Sequence, residues 1–164
     1  MEKFTEQTQA DNSELEGKYL TFWTDSQLFG IPIINVVQII QMQEITEIPD
    51  FPSYAKGIIN LRGTMIPLID IRLRLGKMPA DYNERTCIIV TNIQSLQIGL
   101  IVDEVNEVTD VADESVSPPP RMSGGDYTSR YLTGIANQGG TVVLLISPDR
   151  ILSDDMISDL QSYM

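Results

Sequence analysis

Residues 57–70, GIINLRGTMIPLID, organise this sequence: two apolar, strand-forming runs flank a short Arg-Gly turn. A second version follows at residues 134–147, GIANQGGTVVLLIS. Seven of the fourteen aligned positions are identical: Gly57/Gly134, Ile58/Ile135, Asn60/Asn137, Gly63/Gly140, Thr64/Thr141, Leu68/Leu145 and Ile69/Ile146. The chain therefore contains a duplicated hairpin, and the copies differ in the turn, where Leu61-Arg62 is replaced by Gln138-Gly139.

The duplication extends beyond this hairpin. Gly30 and Val36 recur 69 residues later as Gly99 and Val105, and a longer, proline-containing connection in the second half raises the later offset to 77. Each half holds five short apolar runs separated by turn residues, which is typical of a small β-barrel.

This pattern predicts a mainly β fold of two five-stranded β-barrels, with short helical turns. The barrels occupy approximately residues 18–84 and 85–152, between a flexible acidic N-terminus, 1–17, and a C-terminal helix, 153–164. A unit of this size is marginally stable alone, so we expect the barrels to pack around a shared hydrophobic core. The periodicity leaves open whether each barrel is built only from its own half.

The composition excludes several kinds of site. The 164 residues carry a formal charge of −12, which disfavours nucleic acid and anionic membranes as partners. Histidine is absent, which removes imidazole ligands and histidine-dependent nucleophiles. A single cysteine, Cys87, excludes an internal disulfide and favours a buried, inert thiol in a reducing compartment. With no secretory signal and no membrane-length apolar run, the sequence predicts a cytoplasmic protein without membrane insertion.

The richest acidic run, residues 103–114, does not match a calcium-binding loop, because valines occupy its third and sixth positions. Its alternation of valines and acids favours a strand with one solvated face. No phosphate-binding glycine motif is present either. We therefore expect no catalytic residue, no metal and no cofactor.

Arg62 is the strongest candidate for recognition. One interpretation is that the turn simply holds a polar residue. However, the second copy makes its turn without arginine, so Asn60, Gly63 and Thr64, like Asn137 and Gly140, are expected to be structural turn residues. Leu61-Arg62 is then free for binding, and the guanidinium fork suits carboxylates or backbone carbonyls.

Several segments together resemble the CheW family of chemotaxis coupling proteins, over roughly residues 18 to 160. They are FGIPI at 29–33, VVQI at 36–39, ITEIP at 45–49, GIINLRG at 57–63, IPLIDIR at 66–72, IGLIVD at 98–103 and YLTG at 131–134. The resemblance implies two SH3-like barrels. It also implies a non-catalytic adaptor that links the cytoplasmic tips of chemoreceptors to the regulatory domain of the histidine kinase CheA, which docks on an end of one barrel.

The resemblance also implies a receptor-binding groove that includes Arg62, Leu61, Val36, Val37 and Gln38. Some family members carry a glutamate beside the position of Gln38, where it could pair with this arginine. Two alternatives remain open from the sequence. One is an equivalent adaptor in a chemosensory pathway that controls pili or gene expression. The other is a small β-barrel enzyme or ligand-binding protein. Catalysis would need a base, and the sequence offers only unclustered carboxylates and no histidine.

Overall fold

A computed structural model describes residues 15–119 and 131–162 of the chain. Most of the predicted acidic N-terminus, residues 120–130 in the long second connection and the last two residues lie outside this described part. In chain order the strands are β1 (Lys18–Thr24), β2 (Gln27–Pro32), β3 (Val36–Gln41), β4 (Ala55–Leu61), β5 (Thr64–Asp70), β6 (Cys87–Ile93), β7 (Leu96–Val102), β8 (Glu104–Asp110), β9 (Val116–Ser117), β10 (Leu132–Gln138) and β11 (Thr141–Ile146). The helices are α1 (Ile71–Arg74), α2 (Pro148–Ile151) and α3 (Asp154–Ser162), with 3₁₀ turns at Ile33–Asn35 and Asp113–Ser115.

Each predicted hairpin is present and closes through a two-residue turn in the left-handed region. The turn at Asp25 and Ser26 has φ angles of 51° and 62°, and the turn at Gln94 and Ser95 has φ angles of 50° and 67°. Two consecutive positive φ values match the right-handed twist of the flanking strands. Local turn chemistry therefore accounts for the hairpins.

Two of the helices begin next to a residue whose side chain caps them. The Asp70 carboxylate accepts a hydrogen bond from the Leu73 amide at 3.4 Å and caps α1, and Gly76 follows with φ 77°. The Ser153 hydroxyl accepts a bond from the Met156 amide at 3.2 Å at the start of α3. The buried face of α3 is formed by Ile157 and Leu160, so the predicted C-terminal helix is confirmed.

The two sheets do not follow the two halves of the chain. The first has the order β8-β1-β2-β11-β10-β9 and is called barrel 1; the second has the order β3-β6-β7-β5-β4 and is called barrel 2. Hairpin β1–β2 of the first half therefore completes the barrel of the second half, and hairpin β6–β7 completes the other. A division near residue 84 does not separate the sheets, which answers the question that periodicity left open.

The exchanged hairpins join their new barrels by parallel pairing in equivalent registers. Gly30 lies opposite Leu145 where β2 meets β11, and Gly99 lies opposite Leu68 where β7 meets β5. These are the positions that the offsets of 69 and 77 relate. A Cβ added to Gly99 would lie 2.5 Å from a methyl group of Leu68, so glycine permits the close approach of these strands.

Three apolar clusters fill the fold. The largest lies between the sheets and takes alternate residues of both exchanged hairpins, including Phe22, Phe29, Ile89 and Leu100. A second fills barrel 2, with Ile59, Ile66, Leu68, Ile88, Val90 and Ile101. The third fills barrel 1, with Leu28, Val111, Ala136, Val143 and Leu145. The fold is thus two SH3-like barrels around a shared core, as predicted, with the two-residue β9 added to the edge of barrel 1.

Candidate functional site

The turn between β4 and β5 has the same geometry as its second copy. The Asn60 side-chain oxygen accepts a hydrogen bond from the Gly63 amide at 2.8 Å, and Asn137 accepts one from Gly140 at 3.0 Å. Gly63 and Gly140 have φ angles of 90° and 92°. Thr64 is exposed and pairs with the residue before the turn. In both copies an asparagine and a glycine therefore satisfy the turn backbone.

Arg62 occupies the first central position of its turn with φ 54°, and Gly139 takes the same position in the second copy with φ 57°. A residue with a Cβ pays a conformational cost there that glycine does not. The Arg62 side chain is exposed, and within residues 15–119 and 131–162 it makes no hydrogen bond or ion pair. Nothing in the turn requires an arginine.

An incompletely covered apolar surface lies at the end of barrel 2, and we call it the barrel 2 mouth. It consists of half-buried side chains that pack against the barrel 2 cluster: Val37, Ile40, Met42, Ile45 and Leu61. Leu61 precedes Arg62 directly at the end of β4. The turn therefore presents an exposed cation beside an incompletely covered apolar surface.

The five residues predicted for binding do not all share this surface. Val37 and Leu61 contact the same apolar cluster, and Gln38 is half-buried on β3. Val36 instead lies in the shared core with 5% of its surface exposed, because alternate residues of a strand face opposite sides. Of the three β3 residues predicted for binding, only Val37 and Gln38 are therefore partly accessible.

The equivalent end of barrel 1 has a different character. The offsets of 69 and 77 place Asn106 where barrel 2 has Val37, Glu107 in place of Gln38, and Gln138 in place of Leu61. These side chains line a small pocket of about 270 Å³ together with Thr21 and Thr141. At the positions of Val37 and Leu61, apolar side chains, like the arginine, are therefore carried by one copy only.

Sequence reasoning missed a second polar cluster, centred on Arg72 of α1. Its guanidinium donates to Asp103 at 2.9 Å from Nε and 2.7 Å from Nη2, and to Asp25 at 3.4 Å. Lys77 lies 3.5 Å from the other oxygen of Asp25. The cluster fastens the tip of the exchanged β1–β2 hairpin to α1 and to the β7–β8 connection. No local sequence pattern predicts this cluster, since its members are up to 78 residues apart.

The electrostatics of this cluster favour the ionised carboxylate. Burial raises the pKa of Asp103, but hydrogen bonds from Arg72 and from the Asp25 amide, with the guanidinium charge, outweigh burial and hold that pKa below its usual range. The bidentate geometry is that of a strong Arg-carboxylate pair. A cleft of about 440 Å³ adjoins the pair and is lined in addition by Trp23 and Arg85. Both charges of the pair are therefore engaged in interactions within the protein.

Other groups offer little chemistry. Burial raises the pKa of the half-buried Cys87 thiol, which disfavours a reactive thiolate. Within the described ranges, no cluster of three or more histidine, cysteine or acidic side chains could hold a metal ion. No helix in that part of the chain is long and apolar enough to cross a membrane.

Comparison with known proteins agrees with this geometry. The CheW-like domain family matches residues 18–156. The chain belongs to the CheW family. It is 30% identical to the chemotaxis protein CheW of Klebsiella aerogenes over 138 residues, which cover 84% of this chain and 82% of that protein. It is 34% identical to a probable CheW of Rhizobium etli over 135 residues, which cover 82% of this chain and 86% of that protein.

A solved CheW structure has the same fold. The scaffolding protein TtCheW of Thermoanaerobacter tengcongensis superposes with a TM-score of 0.78 at 31% identity, covering 85% of this chain and 94% of that one. The chain that contains the exchanged hairpins therefore has the overall fold of a solved CheW structure. As a CheW family member, the chain is a chemotaxis coupling adaptor, a scaffold protein by family.

Proposed function

We propose that this CheW protein couples the cytoplasmic tips of chemoreceptors to the regulatory domain of the histidine kinase CheA, without catalysis or a cofactor. It acts in the cytoplasm and is recruited to membrane receptor arrays through these two protein partners. The receptor binds at the barrel 2 mouth and the Arg62 turn. The kinase, whose regulatory domain resembles this fold, docks on an end of one barrel.

The conformation of Arg62 is the observation that carries the receptor site. An exposed arginine holds a backbone conformation that favours glycine, makes no bond within the described residues, and follows Leu61 of the apolar mouth. The second copy builds the same turn with Gly139. Structure alone therefore gives no reason for arginine, whereas recognition does, because a guanidinium can bind a carboxylate through two parallel hydrogen bonds.

The two parts of the site have different tasks in this proposal. Val37 and Leu61 at the mouth provide apolar contact area, which supplies affinity. Arg62 provides direction and register, since charged contacts discriminate between partners more than they add affinity. A receptor segment with an apolar side chain and a nearby carboxylate fits both parts.

The residue at position 38 affects whether the Arg62 guanidinium is available to bind a receptor carboxylate. A glutamate at or beside this position could pair with the arginine and compete with the receptor carboxylate, whereas a neutral glutamine does not. We expect Gln38→Glu to weaken receptor binding or leave it unchanged, measured by calorimetry with a receptor cytoplasmic fragment. Stronger binding by this variant would show that the idea is mistaken.

A pull-down from cell extract tests the main proposal, with wild type, Arg62→Ala and Gly139→Ala compared side by side. Gly139→Ala is the matched control, because it changes the equivalent turn of barrel 1. Wild type and control should retain both the kinase and the receptor, and Arg62→Ala should retain the kinase alone. Unchanged receptor recovery by a folded Arg62→Ala would remove Arg62 from the site.

A further inference from the structure

We draw no further inference here: the strongest candidate, the cleft of about 440 Å³ between the tip of the β1–β2 hairpin and the connection from α1 to β6, is lined by side chains of both charges, and nothing in the structure shows which ligand or partner would occupy it.

Discussion

Replacing Arg62 by glycine should make the protein more stable while it abolishes receptor binding. At φ 54° the arginine holds a left-handed conformation, which costs a residue with a Cβ about 1–2 kcal/mol. Glycine avoids that cost but adds unfolded-state entropy worth about 0.4–1 kcal/mol. The midpoints of these two ranges leave a net stabilisation of roughly 0.8 kcal/mol. For a chain of this length, that corresponds to a rise in melting temperature of about 1–4 °C.

Scanning calorimetry of wild type and Arg62→Gly measures this directly, and the same samples enter the receptor pull-down. The reverse substitution, Gly139→Arg, is the internal control: it should lower the melting temperature by a similar amount, because φ there is 57°. A lower melting temperature for Arg62→Gly would refute the reasoning. It would show that the arginine side chain stabilises the turn, and that a structural role explains its presence.

Three further predictions concern the framework of the site. Gly99→Ala should lower the free energy of unfolding by about 1–3 kcal/mol in urea titrations, because its new Cβ would lie 2.5 Å from the nearest atom. Gly30→Ala should lower it by less, because the corresponding distance there is 3.1 Å. Arg74→Ala should cost about 1–3 kcal/mol by thermal melting, since that guanidinium contacts two tyrosine rings and donates to a carbonyl at 2.6 Å. The pKa of Asp103 is lowered in the folded state. The ionised carboxylate therefore stabilises the fold above its unfolded pKa, and this stabilisation is lost on acidification below pH of about 4. Arg72→Gln should accordingly lose less stability than wild type between pH 7 and 3.

Local sequence signals predicted the duplicated hairpin and the short helical turns because the interactions that form them are local. Asn60 and Gly63 are three residues apart, and their hydrogen bond closes a turn whose geometry those two residue types favour. Asp70 and Gly76 likewise delimit α1 through contacts within one turn of chain. Duplication then located the second hairpin without further information.

The exchange of hairpins could not be read from the sequence. Parallel pairing of Leu68 with Gly99 joins segments 31 residues apart, and an apolar strand has the same period whichever barrel receives it. The burial of Val36 has the same origin, since only the assembled sheets show which face of β3 meets the shared core. The Arg72 cluster also depends on this topology, because the exchanged hairpin brings Asp25 to α1.

The exchanged hairpins give the two halves of the chain a mutual dependence. Each half carries a hairpin that its own barrel does not use and lacks one that its own barrel needs. One half alone would leave sheet edges open, and two identical halves could complete each other only by association. Joining two such halves in tandem turns an association between molecules into a connection within one chain. Within that one chain the two equivalent turns are free to differ, and one holds Gly139 where the other holds Arg62.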